Sequence, residues 1–373
     1  MKADTPMLNP ARITLARELR GLTKAALAAE LGVTSRTVRT FESDGAPAAR
    51  ARALASTLDV GESFFSLPDA TEVTFEDGFF RSLRSATAAQ RASARACASI
   101  GTDLYGFITD RFMLPQLNLP EAELSSPEQA ARTLRAAWGR GTEPLPNLVQ
   151  LAESHGVRVM SLPVQSRTVD AFSFIRDHQA YAFLSTAKTA ERSRFDLAHE
   201  LGHLVMHAHQ PLTRDTRSSA DNDLERQADR FAAEFLMPAE AVLPRSSREP
   251  AVPEILDLKS SFHVSAMAMA KRLHTLGRAT EWTYRKNCAE LTKRGYRADE
   301  PEGMPRERSR VFDVVFPSLR KKGSLEHLLS DALGIRLPLV HELTFAQVPI
   351  SVSGGRERPS GDRPKLTLVK DSN

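Results

Sequence analysis

The most constraining feature of this chain is the sequence HELGH, which places His199, Glu200 and His203 in the order H-E-x-x-H. On an α-helix, residues four apart lie one above the other with their Cβ atoms roughly 5–6 Å apart, so both imidazoles can reach one metal ion. A catalytic Zn²⁺ typically has three protein ligands and a water. Glu200 lies about 100° around the helix from His199, where it can accept a proton from that water. The motif therefore predicts a helix that carries a catalytic zinc site.

A mononuclear site needs a third ligand, and the next predicted helix, Leu224 to Leu236, offers two carboxylates. Glu225 and Asp229 lie one turn apart on the flank of its apolar face. We choose Glu225 because its side chain is longer and its flank is more buried, and we keep Asp229 as a reserve or outer ligand. Taken alone, both would be ordinary solvated carboxylates. The histidine pair upstream makes them candidate ligands.

The two motifs together resemble the ImmA/IrrE family of zinc-dependent regulatory peptidases. The second motif reads E-x-x-A-x-x-F-A-A-E-x-L-M-P and begins at Glu225. The resemblance covers roughly residues 125 to 280. It implies that His199, His203 and Glu225 bind zinc and that Glu200 is the catalytic base. It also implies a narrow protein substrate, typically a repressor or another regulatory partner.

Two nearby residues depart from simple patterns. Asp229 stands where the family resemblance leads us to expect asparagine, which leaves a second carboxylate beside the site. His207 lies one turn after His203, but the metzincin pattern needs a glycine where this chain has Met206. His207 is therefore not predicted as the third ligand. It either supports the metal ligands or the transition state, or makes a structural hydrogen bond.

Residues 1–70 are predicted to form a compact helical unit in which the turn Leu31 to Val33 joins two short helices. Such a turn is what a helix-turn-helix requires. Thr34 fits the N-cap of the second helix, and Val38 and Phe41 would face the core. The remaining side chains of that helix would face outward, where they suit base edges and phosphates: Ser35, Arg36, Thr37, Arg39 and Thr40. The pattern resembles the XRE (lambda-repressor-like) family, which implies binding to double-stranded DNA.

The charge of this N-terminal unit is almost balanced. Met1 to Ala70 contains nine Lys and Arg against eight Asp and Glu, so the unit lacks a strong phosphate-attracting field. Degenerate helix-turn-helix units also serve as dimerisation or partner modules. The sequence therefore leaves open whether this unit binds DNA or serves as a module for a homodimer or another partner.

The rest of the chain divides into segments of different character. Residues 71–120 are predicted as a helical linker, 121–285 as the zinc peptidase domain, 286–350 as a small C-terminal module and 351–373 as a disordered tail. Within the peptidase domain, a small sheet should precede the metal helix. Ala180 to Leu184 is predicted, by analogy with other H-E-x-x-H peptidases, as the edge strand that holds the substrate. The polar run Arg214 to Asp223 predicts a mobile loop between the two metal-bearing helices.

Composition narrows the class of protein. With 41% hydrophobic and 26% charged residues and a formal net charge of +4, the chain is typical of a soluble globular protein. It has no secretory signal and no apolar run near the ~18 residues of a membrane span, so a cytoplasmic location without a membrane is predicted. Cys97 and Cys288 are too few for a disulfide framework.

We therefore predict an α+β, predominantly α fold with three parts: an N-terminal helix-turn-helix bundle, a zinc peptidase domain with a small sheet beside the HExxH helix, and a small C-terminal module. The predicted function is that of a DNA-binding regulatory zinc metalloprotease. The alternative is a non-proteolytic transcriptional regulator or antitoxin-like protein whose metal site is structural or sensory.

Overall fold

The computed structural model describes residues 6–74, 78–79, 86–120, 126–163, 169–207 and 219–349 of the chain. Helices dominate these residues, and the two sheets among them are small, so the predicted α+β, predominantly α class is confirmed. None of the described helices is long and apolar enough to cross a membrane. The predicted tail, 351–373, lies outside the described residues.

The N-terminal unit contains the helices α1 Pro10–Leu19, α2 Lys24–Leu31, α3 Ser35–Asp44 and α4 Ala51–Leu58, with strands β1 Met7–Leu8 and β2 Ala46–Pro47 paired antiparallel beside them. Gly32 ends α2 in the left-handed region, with φ of 64°. Thr34 caps α3 as predicted, because its hydroxyl accepts a hydrogen bond from the backbone N–H of Thr37 at 3.1 Å. Val38 and Phe41 are buried, also as predicted.

A long helix, α5 Ala88–Thr109, follows the N-terminal unit, as the Ala-rich sequence predicts. Thr87 and Gln90 form a capping box at its start. The helix packs against α1 on one side. On the other side it lies so close to the sheet that a methyl group at Gly101 would be 2.5 Å from Cε of Met160. Helix α5 therefore contacts both the N-terminal helices and the sheet of the predicted peptidase domain.

The larger sheet contains β3 Gly78–Phe79, β4 Arg158–Ser161, β5 Ala171–Arg176 and β6 Gln179–Leu184, in the order β3-β5-β6-β4. Strands β5 and β6 form an antiparallel hairpin, whereas β4 pairs with β6 in parallel. The prediction that Ala180 to Leu184 is the edge strand is therefore wrong. Strand β6 is an inner strand, because it pairs with β5 on one side and with β4 on the other.

The two faces of this sheet differ, because side chains alternate along each strand. The aromatic face, with Phe172, Phe174 and Phe183, joins one hydrophobic core with the N-terminal helices and α5. The other face carries small side chains such as Ala171 and Ala182 and joins a second core. This second face lies against the metal helix, which packs on β5 and β6.

The second core is built around α6 Pro127–Ala137, α7 Leu148–Ser154, α8 Ala190–Met206 and α9 Ser219–Leu236. Helix α8 contains the HELGH motif and packs along α9. Of the predicted loop Arg214 to Asp223, the part from Ser219 onward is helical, which corrects that prediction. The remainder, 214–218, lies outside the described residues.

Helices continue to the C-terminal end of the described chain: α10 Ala239–Val242, α11 Val252–Phe262, α12 Ala266–Thr275, α13 Glu281–Lys293, α14 Arg310–Arg320, α15 Leu325–Leu333 and α16 Leu337–Leu343. Residues of α11, α12 and α13 belong to the second core, whereas those of α14, α15 and α16 belong to the first. Residues 286–349 thus contribute to both cores, and the proposed domain boundaries stay a prediction.

Buried polar contacts join the C-terminal residues to helices α7 and α8. Arg194, on α8, is fully buried and forms an ion pair with Glu307. Glu153, at the end of α7, accepts hydrogen bonds from the hydroxyl of Ser309 and from the backbone N–H of Arg310, at the start of α14. The start of α14 is therefore fixed to α7 by a buried carboxylate.

Candidate metal centre

Helices α8 and α9 bring the three predicted metal ligands together. Nε2 of His199 and Nε2 of His203 are 3.0 Å apart. Oε2 of Glu225 lies 3.2 Å from Nε2 of His199, and its other oxygen, Oε1, lies 3.5 Å from Nε2 of His203. One ligand atom from each residue lies within 4.8 Å of the others. The three side chains thus face one point from two helices.

The chemistry of this cluster suits a divalent metal ion. Two ligand atoms of a tetrahedral zinc, each about 2.0–2.1 Å from the metal, are about 3.3 Å apart, close to the separations between these side chains. Oε1 of Glu225 is buried and has no hydrogen-bond partner among the described residues. An ion would supply the missing interaction for this oxygen. The cluster of His199, His203 and Glu225 could therefore hold zinc.

The second ring nitrogens of the two histidines also have partners. Oδ1 of Asp229 lies 3.0 Å from Nδ1 of His199, on the side of the ring away from the cluster. Nδ1 of His207 lies 3.0 Å from Nδ1 of His203, and Oε1 of Gln227 lies 3.2 Å from Nε2 of His207. Partners of this kind fix the orientation and tautomer of ligand histidines. Asp229 and His207 thus contact the candidate ligands without belonging to the three-residue cluster.

The carboxylates around His199 favour positive charge at the cluster. Burial disfavours the charged ring, but the hydrogen bonds to Asp229 and Glu225 and the charge of Glu200 outweigh it and raise the pKa of His199 to about 10. Burial would also raise the pKa of Glu225, yet its close contacts with the rings of His199 and His203 hold that pKa well below its usual range. A divalent cation can satisfy the same carboxylates in place of a proton.

Glu200, the predicted catalytic base, is buried beside this cluster with 2% of its surface exposed. Its Oε2 accepts a hydrogen bond from the hydroxyl of Ser173, on β5, at 2.6 Å. Burial raises the pKa of Glu200, and the nearby histidines and the Ser173 hydrogen bond act in the opposite direction. A carboxylate with a raised pKa, fixed by one hydrogen bond, is suited to accept and return a proton.

Close packing between α8 and α9 positions Glu225. A methyl group at Gly202 would lie 2.9 Å from Cδ1 of Phe231, so only glycine lets α9 approach α8 this closely. Further along α9, Glu234 forms ion pairs with Arg132 and Arg272. Gly202, Phe231 and Glu234 thus help to fix the position of α9 and, with it, the position of Glu225.

Sequence reasoning missed three contributors to this site. Ser173 bonds to Glu200, Gln227 bonds to His207, and Gly202 admits α9. The signal for Ser173 was a single hydroxyl residue between Phe172 and Phe174 in a buried strand. Gly202 is part of the HELGH sequence itself.

The predicted DNA-contacting residues lie elsewhere, on the outer face of α3. Arg36, Arg39 and Thr40 are exposed, and Ser35 and Thr37 are partly exposed. None of the five is buried in the core of the N-terminal unit. Their accessibility is what a nucleic-acid contact would require.

An H-E-x-x-H helix that shares a three-residue cluster with a glutamate on the next helix is characteristic of metallopeptidase folds. The chain is similar to one such group: residues 152–274 match the family model of the IrrE N-terminal-like domain, a peptidase domain. No curated protein matches the chain. The match supports the ImmA/IrrE resemblance and, in general terms, a regulatory metallopeptidase. It runs from α7 to α12 and so includes the whole candidate metal centre.

Proposed function

We propose that this chain is a regulatory zinc metalloprotease that binds DNA through its N-terminal helices and cleaves a specific partner protein, such as a transcriptional repressor. The observation that carries the proposal is the convergence of His199, His203 and Glu225 beside the buried carboxylate of Glu200. The similarity of residues 152–274 to a peptidase domain supports it.

In this proposal, His199, His203 and Glu225 hold the metal, and Glu200 moves the proton. Zinc would polarise the scissile carbonyl and lower the pKa of a bound water to about 7. Glu200 accepts the proton of the attacking water and passes it to the leaving amine. Ser173 orients Glu200 during both transfers, because its hydroxyl bonds to Oε2.

The substrate site in this proposal is the outer edge of β5. The only described partner on that edge is the two-residue strand β3, in which Phe79 pairs antiparallel with Ser173. This edge therefore accepts an extended antiparallel segment immediately beside the residue that contacts Glu200. A substrate that takes the place of Gly78–Phe79 would add a strand to the sheet and present its backbone to the catalytic carboxylate.

The proposed DNA contact is the outer face of α3, with Arg36 and Arg39 as its exposed cations. The N-terminal unit has almost equal numbers of positive and negative residues. Specific contacts from α3 would therefore matter more than a general attraction to phosphate. Peptidase and DNA contact are separate features of one chain, and each has its own test.

Glu200→Gln tests the proteolytic function, because it preserves side-chain size but removes the base. Newly formed protein N-termini would be labelled and identified in cells that express wild type, Glu200→Gln or His203→Ala. General acid–base catalysis is worth roughly 10²–10⁴-fold, so we expect cleavage of a narrow set of proteins in wild type only. Elemental analysis should find zinc in Glu200→Gln and little in His203→Ala.

A different result would favour the alternative function. If Glu200→Gln regulates its target like wild type and only His203→Ala fails, proteolysis is not how this protein works. The metal would then be structural or sensory, and the chain a non-proteolytic regulator.

A further inference from the structure

A cavity separate from the candidate metal centre lies between the N-terminal helices, α5 and the sheet. Its volume is about 640 Å³, and its walls include Arg12 of α1, Thr102 of α5, Arg158 of β4 and Gln179 of β6. This volume falls within the ~300–1,000 Å³ typical of sites for small molecules. None of the candidate metal ligands lines it.

The cavity is lined by a buried cation that forms no direct ion pair within the described part of the chain. Arg158 has 4% of its surface exposed, yet it forms no ion pair with any residue that the structure describes. Its Nη1 is buried and has no hydrogen-bond partner within the same described ranges. Its guanidinium lies 5.6 Å from the centre of the Tyr105 ring, which offers only a weak cation–π contact. Burial of an unpaired charge is costly, so this position is unfavourable without a further partner.

Two more residues of the cavity wall each carry a buried polar atom without a partner. They are Oγ1 of Thr102 and Oε1 of Gln179, and neither makes a hydrogen bond to a described residue. Buried polar atoms are nearly always hydrogen-bonded in folded proteins, and each exception needs an explanation. A molecule bound in the cavity that reached these three groups would supply their missing hydrogen bonds.

The charged residues around the cavity indicate whether a bound molecule would be an anion or a cation. Among the acidic residues of the wall, Asp103 accepts a hydrogen bond from the backbone N–H of Thr71 and lies 3.7 Å from Arg12, and Asp69 accepts one from Asn9. Asp110 and Arg111 are exposed to solvent. Arg158 carries the buried charge of the wall that has no direct ion pair among the described residues; the carboxylate of Glu153 acts on it electrostatically but does not line the cavity. A guanidinium binds carboxylate and phosphate groups with paired hydrogen bonds.

We propose that this cavity binds a small organic anion, whose carboxylate or phosphate group pairs with Arg158 and whose other polar groups bond to Thr102 and Gln179. The body of the ligand would lie against Tyr105 and Tyr181, which also line the wall. Because α1, α5, β4 and β6 all contribute to the wall, the bound anion would contact the N-terminal helices and the sheet at the same time. Binding of a metabolite at this site could therefore affect both the N-terminal helices and the sheet.

Calorimetric titration of the full chain with succinate and, separately, with inorganic phosphate tests this proposal at constant ionic strength. We expect at least one of the two anions to bind saturably at one site per chain. Arg158→Gln should weaken that binding at least about 10-fold, because it removes the charge that pairs with the anion. Arg285→Gln, which changes an exposed arginine of α13, should leave it unchanged.

The proposal is overturned if neither anion binds saturably up to about 10 mM, or if Arg158→Gln binds as tightly as wild type. The stability of the free protein gives a second readout. Loss of an unpaired buried cation should leave the melting temperature of Arg158→Gln equal to or above that of wild type, whereas a supporting role for Arg158 predicts a clear fall. Should Arg158→Gln fail to fold, Thr102→Val decides the question, since unchanged anion affinity in that variant would also overturn the proposal.

Discussion

The hydroxyl of Ser173 lies 2.6 Å from Oε2 of Glu200, and both residues are buried. The contact joins a strand of the sheet to the metal helix across 27 residues of sequence. It holds the carboxylate that would accept the proton, and it favours the charged form against the effect of burial. Ser173 is therefore a positioning residue for the candidate base.

Ser173→Ala should lower cleavage of the partner protein without loss of metal. A hydrogen bond to a charged group is worth about 1.5–3 kcal/mol, so we expect the rate to fall about 10- to 100-fold. The acidic limb of the pH–rate profile should also move to higher pH, because the pKa of Glu200 would rise further. The profile is measured by the appearance of the new N-terminus of the substrate.

Ser161→Ala provides the matched control, because Ser161 is equally buried in the same sheet but bonds to the backbone of Glu342 and Phe345. Ser161→Ala should change the stability of the protein and leave the pH–rate profile of cleavage the same as that of wild type. Equal profiles for Ser173→Ala and wild type would show that the Ser173 contact does not orient the base.

Substitutions in and beside the metal cluster should reduce zinc binding to different degrees. His199→Ala and Glu225→Ala should each abolish stoichiometric zinc, because either change leaves two protein ligands. Asp229→Asn should retain zinc but bind it about 10- to 100-fold more weakly, since Asp229 contacts the other nitrogen of His199. Elemental analysis and competition with a chelator measure the two effects.

Asp223→Asn is the control for Asp229, because it is the same substitution on the same helix at an exposed carboxylate that pairs with Arg226. Its zinc affinity should equal that of wild type. Full zinc occupancy in both His199→Ala and Glu225→Ala would show that these two residues are not zinc ligands.

Much of the site could be predicted from the sequence, because its main elements are local. Residues four apart on a helix share a face whatever the rest of the fold does, so His199 and His203 are found without any tertiary information. Thr34 caps α3 for an equally local reason. The second helix supplied Glu225 because its apolar periodicity also fixes which side is buried.

The errors concern longer-range or less periodic features. The place of β6 inside the sheet depends on parallel pairing with β4, which no local pattern encodes. The Ser173–Glu200 contact likewise depends on how β5 meets α8. The start of α9 was missed because Ser219 to Asp223 is polar except for Ala220, although serine, asparagine and aspartate favour the first turn of helices.

The exposed face of α3 predicts salt-sensitive DNA binding. Arg36→Ala and Arg39→Ala should each weaken binding to a fragment of the protein's own promoter. A lost base contact costs about 1–3 kcal/mol of binding free energy. A lost phosphate contact reduces the slope of log affinity against log salt concentration by about one. Fluorescence anisotropy at several salt concentrations separates the two kinds of contact.

Arg285→Ala, at an exposed arginine of α13, removes the same charge away from α3 and should have little effect. Absence of any salt-sensitive DNA binding by the wild-type protein would instead make the N-terminal helices a dimerisation or partner module.

Glu153 should make stability depend on pH. Burial raises its pKa to about 7, although hydrogen bonds from Ser309, Arg310 and Val311 act against that rise. The folded state therefore binds this proton more tightly than the unfolded state. The stabilisation is fully present below the ordinary pKa of about 4.5 and is lost as the pH rises through about 7, by an amount on the order of 3 kcal/mol.

Glu153→Gln removes the titrating group but keeps a similar shape, so its melting temperature should fall less than that of wild type between pH 5 and pH 8. Any hydrogen bond that the amide fails to make is lost equally at both pH values and cancels in this comparison. Glu143→Gln, at an exposed carboxyl, should follow the wild-type curve. If the three hydrogen bonds outweighed burial, the carboxylate would be the favoured form, and wild type would instead gain stability relative to Glu153→Gln as the pH rises.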